Sequence, residues 1–419
     1  MRSLKILVFL FCSLVGIMAP LSAQAMLEAV KAGDLAQVKV LVEKDPGIVN
    51  AKNSGGQTVL FAAVSFGRLE IAEYLIANGA NVNERTSFHL TPLDVACMRD
   101  APLAIVRLLV EKGADVNFVS KYMGKPLDLA LDTENAALID YLRSRGAAAT
   151  PLEFKTYRLA GTVHRVAYPW GMRNNIVAFS GPDGLLLVDT GFSKHAVSAL
   201  RETLGGLAKG EIKFIISTHL HGDHVEGNSI GLAGAKVIDF KSLEDPEFKG
   251  LISRSDQPLR GGAGQEFAAP YTMRFNGQDV QIIPNPGLHS QDDLLIHFPK
   301  SKVLCMGDLL LSESCPALQD VAGYMAFLDK IIEIFPAGTT FVSGHGRDLT
   351  KDGLRKYRDD LAGMIAAVRK NYEAGKSAED MVRDDVLKAY KAEYSLLDWL
   401  GPDSWLQRIV GGLKSGGLK

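Results

Sequence analysis

Four leucines, Leu27, Leu60, Leu93 and Leu127, stand 33, 33 and 34 residues apart, and their surroundings repeat with them. The segments "MLEAV", "TVLFAAV", "TPLDVA" and "KPLDLA" align on these leucines, and "IAEYLIANGANVN", "IVRLLVEKGADVN" and "LIDYLRSRGAA" close the later units. A period this short constrains residues 26–150 strongly. One unit cannot bury its own apolar face, so each must stack on the next and the core must run along the stack. Pro92 and Pro126 fall where a helix begins, a position that needs no backbone N–H. Gly79, Gly113 and Gly146 fall where a helix ends and φ turns positive.

These units resemble the ankyrin repeat, a helix pair joined to the next by a turn. The first unit departs from the pattern, with "KDPGIVN" where the others carry a glycine-alanine turn, as expected of a terminal capping repeat. The resemblance implies a surface for a protein partner. The alternative use is packing against, or stabilising, the rest of the chain.

The 33-residue period stops near Pro151. Short apolar runs follow: "GLLLVDTG", "FIISTH", "AKVIDF", "DVQIIP", "LLIHFP", "KVLCMGD" and "TTFVSGHG". They read as buried strands, and helical stretches such as "SKHAVSALRETLGGL" and "VAGYMAFLDKIIEIF" lie between them, so residues 151–375 form an α/β (α+β) domain. A long helix is expected over 350–375. Residues 376–419 read as a helical extension anchored in the core by Trp399 and Trp405.

The first 25 residues differ from both. Arg2 and Lys5 precede an apolar run from Ile6 to Met18, and "LSAQA" supplies an A-x-A site. This is the pattern of a signal peptide cleaved after Ala25, which predicts a periplasmic or secreted protein with no stable membrane span once cleaved. Three cysteines then remain, Cys97, Cys305 and Cys315, an odd number that reads as buried thiols, although Cys305 and Cys315 would be free to pair. The net charge of −2 gives no broad electrostatic attraction for nucleic acid.

"STHLHGDHVEGN", residues 217–228, gathers His219, His221, Asp223 and His224 from a chain with nine histidines. Imidazole is the commonest metal ligand, and carboxylates complete its sites. The cluster follows the strand-like run "EIKFIISTH". Three more strand ends carry residues of the same kind: His289 in "NPGLHSQDD", Asp308 in "CMGDLLL" and His345 in "VSGHGRD". Each stands where an apolar run gives way to a Gly- or Pro-marked turn, so all can meet at one sheet edge. Three neutral imidazoles with an open fourth position make a catalytic zinc site, not a closed structural one. His89, His164, His195 and His297 fall outside this set and read as structural or exposed.

The order H-x-H-x-D-H, then H, then GD, then GHG resembles the metallo-β-lactamase superfamily of hydrolases over about residues 155–375. The resemblance implies an αββα sandwich with two metals at one edge. It implies a first metal held by His219, His221 and His289, a second held by Asp223, His224 and His345, and Asp308 between them. It places Asp189 of "LLLVDTG" behind the ligands. Two Zn2+ per chain are expected, with iron or manganese as other occupants. The expected reaction is attack of a metal-bound hydroxide on a small-molecule ester, lactone, thioester or amide, with Asp223 and Asp308 as catalytic residues. Two other readings stand beside it. A mononuclear iron enzyme acting on sulfur compounds would often lack part of the second set, whereas His224 and His345 are both present. An ankyrin-based binding module with a degenerate metal domain would not keep the whole set. In "YPWGMRNN", Trp170 and Met172 form either an apolar wall beside the site or an ordinary hairpin tip. "LRGGAGQEF" reads as a flexible connection near it.

Overall fold

The computed structural model describes residues 21–418 except 54–55, 170, 208–209, 230–233, 249, 262–264 and 319. The apolar run Ile6–Met18 and Trp170 lie outside the described residues. The chain divides into two compact units, one up to Leu152 and one from Glu153 onward.

The first unit is a stack of four helix pairs: Leu21–Ala32 with Leu35–Lys44, Val59–Ser65 with Leu69–Ala77, Pro92–Met98 with Leu103–Glu111, and Pro126–Leu131 with Ala136–Ser144. Most have fewer than ten residues, too short to persist alone in water. They hold because Leu60, Leu93 and Leu127, with Ile71, Leu75, Ile105, Leu109, Leu138 and Leu142, bury a continuous stripe across the units. Leu27 of the atypical first unit is only partly buried, and "KDPGIVN" forms a short 3-10 helix, Pro46–Asn50. Pro92 and Pro126 start their helices. Gly79, Gly113 and Gly146 take φ of 89°, 91° and 80°.

Asparagines also stitch the units together. Asn50, Asn83 and Asn117 recur every 33 or 34 residues. Each donates through Nδ2 to the carbonyl of the helix-ending glycine in the next unit: Gly79, Gly113 and Gly146, all at 2.9 Å. Each also accepts, from the backbone N–H of Asn81, Asp115 and Ala148. Asn83→Ala removes both bonds of the middle rung. It is expected to cost about 1 kcal/mol of stability, since these groups are exposed and water partly replaces the bonds. A urea midpoint equal to that of the unsubstituted protein would show that the rung is incidental.

The second unit is built from two six-stranded sheets. The first runs in chain order through β1 (Lys155–Ala160), β2 (Val163–Ala167), β3 (Asn175–Gly181), β4 (Gly184–Val188), β5 (Ile212–Ile216) and β6 (Lys236–Ile238). After β7 (Ile252–Arg254) comes a hairpin, β8 (Leu259–Arg260) with β9 (Glu266–Phe267). The second sheet has the order β14–β13–β12–β11–β10–β7, with β10 (Tyr271–Phe275), β11 (Gln278–Pro284), β12 (Leu294–Phe298), β13 (Val303–Cys305) and β14 (Thr340–Val342). Strands β4, β5 and β6 are parallel, as are β13 and β14, so within each set the C-terminal ends fall on one side.

Side-chain alternation sorts the second sheet into two faces. Val280, Ile282, Leu294, Ile296 and Phe298 meet Val177, Phe179, Leu186, Val188 and Ile216 of the first sheet. Phe179 packs edge-on against Phe275 and Phe298, with ring centroids 6.0 and 5.4 Å away. Ile283, Leu295, Leu304 and Phe341 point the other way, onto helices Val321–Ile334 and Lys351–Glu373. The helix Val197–Gly205 buries Val197, Leu200 and Leu204. His195, expected on that helix, lies in the turn before it.

The tail after residue 375 joins the same outer core. Helices Ala378–Arg383 and Pro402–Lys414 contribute Met381, Trp405, Leu406, Ile409 and Val410 to the cluster that holds Phe341 and Leu361. Cys97, Cys305 and Cys315 are all buried and unpaired. In "LRGGAGQEF", Leu259–Arg260 and Glu266–Phe267 pair as β8 and β9, with Phe267 buried in the outer core, and the connection expected at 262–264 lies outside the described residues. No helix among the described residues is long and apolar enough to cross a membrane.

His297 is buried on the outer face of β12, with its Nδ1 2.8 Å from Gln281 Oε1 and its ring edge-on to Phe335. Burial pushes its pKa down from 6.5 to about 4. The folded protein therefore resists protonating His297, while the unfolded chain takes the proton readily. The stability it contributes is complete above pH 6.5 and is lost as pH falls from 6.5 toward 4, up to about 3 kcal/mol. His297→Gln does not titrate there. The loss of stability between pH 7 and pH 4.5, followed by urea unfolding, is expected to be smaller in that variant, and equal losses would refute the assignment.

Candidate metal centre

Strand ends from both sheets deliver the charged residues to one edge. Asp189 follows β4, His219 and the turn to His224 follow β5, His289 lies between β11 and β12, Asp308 follows β13, and His345 follows β14. Two backbone hydrogen bonds tie the edges: Leu294 N–H to Thr218 O at 2.7 Å, and Asn175 N–H to Gly344 O at 2.9 Å. The glycines before Asp308 and His345 are required by closeness. A Cβ on Gly307, where φ is 51°, would stand 2.6 Å from Thr218 Oγ1, and one on Gly344 would collide with Asp308 Oδ1.

All seven residues singled out in the sequence come together here, in two groups that share Asp308. His219, His221, His289 and Asp308 form one, and Asp223, His224, Asp308 and His345 form the other. Within each, the potential ligand atoms lie within 4.8 Å of one another. The two oxygens of Asp308 divide the work. Oδ2 is 3.8 Å from Nε2 of both His219 and His289. Oδ1 is 3.2 Å from His224 Nε2 and 3.3 Å from His345 Nε2. Asp223 Oδ2 lies 3.2 Å from His345 Nε2 and 3.7 Å from His224 Nε2.

The other ring nitrogens are already engaged. His345 Nδ1 donates to the Met172 carbonyl at 2.8 Å. His224 Nδ1 faces Asp189 Oδ2 at 2.8 Å, and His289 Nδ1 faces Asp293 Oδ1 at 3.3 Å. Thr218 donates its hydroxyl to Asp189 Oδ2, which leaves its oxygen to accept from His219 Nδ1 at 3.1 Å. These partners fix one tautomer for four imidazoles, with the Nε2 lone pair of each directed at the centre. Asp189 also accepts from Thr218 N–H at 2.7 Å and is held in the left-handed region, φ 61°.

The donor set fits a metal pair. His219 Nε2, His224 Nε2 and Asp308 Oδ1 are buried with no hydrogen-bond partner, a costly arrangement unless something else binds them. Ligand bonds of about 2.1 Å in a tetrahedron give edges of about 3.4 Å, which the 3.2–3.8 Å separations match. Without a cation the site balances its own charge. Burial opposes protonating His345, but Asp308 and Asp223 overcome it and raise its pKa to about 10. Burial likewise opposes His224, and Asp308, Asp223 and Asp189 raise it well above the usual range. Burial and the neighbouring His224 hold His219 well below it.

Residues 169–362 match the profile of the Metallo-beta-lactamase superfamily, and residues 5–86 and 26–120 match that of ankyrin repeats. The chain carries a metallo-beta-lactamase domain behind ankyrin repeats. The chain is 28% identical over 168 residues to a protein named beta-lactamase-like protein 2 homolog of Caenorhabditis elegans, covering 40% of this chain and 53% of that one. An atrochrysone carboxyl ACP thioesterase of Pseudocercospora fijiensis is 26% identical over 265 residues, 59% of this chain and 73% of the relative. A hydroxyacylglutathione hydrolase of Brucella ovis is 31% identical over 154 residues, 36% of this chain and 53% of the relative. The chain thus spans about half the length of two of these three.

Several residues of the metallo-beta-lactamase domain escaped the sequence reading. Asp293 orients His289 and also accepts from the His289 and Ser290 N–H groups. Its signal was a carboxylate four residues after a histidine in "HSQDD". Met172, read for its side chain, meets His345 through its backbone carbonyl, which no sequence pattern announces.

Proposed function

We propose that the metallo-beta-lactamase domain is a dinuclear metal-dependent hydrolase acting on a small-molecule ester, lactone, thioester or amide. The observation that carries this is Asp308, with one oxygen toward each histidine group. His219, His221 and His289 would hold one ion and Asp223, His224 and His345 the other, with Asp308 between them. Divalent ions bound there would lower the pKa of water to about 7 and polarise a substrate carbonyl. The protein's own part is to place and hold. Asp189 and Asp293 fix the imidazoles behind the ligands. Burial opposes ionisation of Asp223 and Asp308, but the imidazoles around them overcome it, so both would accept hydrogen bonds from a water molecule and orient it. The names of two relatives direct a substrate search first to acyl thioesters. Arg2 and Lys5 before the apolar run Ile6–Met18 support export, as an exported protein's leader would, and the ankyrin repeats support a role in binding another protein.

Elemental analysis of purified protein is expected to find close to two ions per chain, mostly zinc, and a panel of thioesters, lactones, esters and amides is expected to yield one hydrolysed class. One tightly bound iron and no zinc would overturn this reading in favour of a mononuclear iron enzyme.

A further inference from the structure

The segment entering β3 runs along the loop that carries His345. Met172 O accepts from His345 Nδ1, Arg173 O accepts from Gly346 N–H, and Asn175 N–H donates to Gly344 O. The two asparagines at its end face opposite ways, as neighbours on a strand do. Asn175 donates through Nδ2 to Ser343 O at 2.8 Å and to Gly346 O at 2.9 Å, bracketing His345 on both sides. Its Oδ1 accepts from Arg165 Nη1 at 2.9 Å, and Arg165 is itself anchored by Asp348 at 2.8 Å. Asn174 donates through Nδ2 to Asp223 O at 2.9 Å and reaches Asp223 Oδ2 at 3.3 Å.

Chemistry fixes the orientation of both amides. A flipped Asn174 would set its carbonyl against two Asp223 oxygens, and a flipped Asn175 would set its carbonyl against two backbone carbonyls. Both residues are buried, so water cannot substitute for the lost donors. Their targets, Asp223 and His345, lie 3.2 Å apart in one of the two ligand groups. The other group is steadied from elsewhere, His219 by Thr218 and His289 by Asp293.

We propose that Asn174 and Asn175 are positioning residues for the Asp223–His224–His345 group, Asn174 by holding the Asp223 carboxylate and Asn175, steadied by Arg165, by holding the His345 loop. The pair sets the affinity of that group for its metal without setting that of the His219–His221–His289 group. This rests on the two-metal reading above.

The test is zinc titration of metal-free full-length protein by calorimetry, with cobalt(II) absorption as a second view of each site. The unsubstituted chain is expected to bind two ions. In Asn174→Ala, one binding event is expected to weaken by about 10–100-fold, the usual effect of removing a partner behind a ligand, while the other stays within about twofold. The cobalt spectrum is expected to lose the bands of one site only. Asn175→Asp, equal in shape but without the two donors, is expected to do the same. The melting temperature of metal-free Asn174→Ala is expected to stay close to that of the unsubstituted protein, which separates positioning from loss of fold. Two unchanged binding events in Asn174→Ala, or both weakened equally, would overturn the proposal and leave the two-metal reading standing. A single ion on the unsubstituted chain would remove the two-metal reading and this proposal with it.

Discussion

Asp308→Ala is expected to lower turnover by at least about 10³-fold and to cut metal content from two ions to one or none, in a chain that still melts cooperatively. A factor of 10³ corresponds to about 4 kcal/mol, within the several kcal/mol that polarisation by bound metal supplies to a transition state. Among the described residues, Asp308 alone belongs to both ligand groups. Removing it takes away a ligand from each group and the negative charge that offsets the repulsion between two cations. The fold should survive, because the side chain's recorded partners are the imidazoles of the site and not the core. His164→Gln on β2 is the control, expected to keep its metal and its activity. Asp308→Ala protein with two ions and full turnover would show that the bridge is misassigned.

Deleting residues 376–419 is expected to abolish cooperative folding of the second unit. Ala378, Met381, Leu387, Tyr394, Trp405, Leu406, Ile409 and Val410 are all buried in the outer core. At about 1.5–3 kcal/mol for each of these seven large apolar side chains, the burial lost is about 10–20 kcal/mol before the entropy of ordering the tail is set against it, a sum comparable with the 5–15 kcal/mol by which a domain is ordinarily stable. The tail also bonds to the loop just after Asp308: Leu396 N–H to Glu313 O at 3.0 Å, Leu397 N–H to Ser314 Oγ at 3.0 Å, and Leu400 O from Cys315 N–H at 2.6 Å. Near-ultraviolet circular dichroism and metal analysis of a chain ending at residue 375 provide the measurement. A soluble, cooperatively melting, metal-loaded product would show that the tail is dispensable. The milder Trp405→Ala should cost about 3–5 kcal/mol.

The seven residues that the structure gathers at the sheet edge were legible because each carries its own local mark. An apolar run ends, a glycine or proline turns the chain, and a histidine or aspartate follows. The repeats were legible for a similar reason, since leucine, proline and glycine recur at fixed spacing. What lay hidden depends on distant partners. Asn175 bonds to carbonyls 168 and 171 residues away, and nothing in "RNNIVAF" distinguishes it from a loop asparagine. The asparagine rungs of the stack were present in "NVN" and "DVN", yet their bonds cross between units and so leave no local sign. The strand pairing at 259–267 was not read because the glycines drew attention away from Leu259 and Phe267, which flank them as paired strand residues do.

Because the residues of each ligand group come from both sheets, neither group is complete in a partly made chain. His219 and His221 arrive with β5, but their companion His289 follows β11, and His345 is the last to be placed, after β14. A ribosome delivers these parts in order, and the sheets must close before three imidazoles converge. An ion held by these groups would therefore be acquired by the finished domain, from whatever surrounds it at that moment. Which ion fills the site then depends on the supply where folding ends as much as on the ligands themselves, so protein recovered from its native compartment is the right material for identifying the metal.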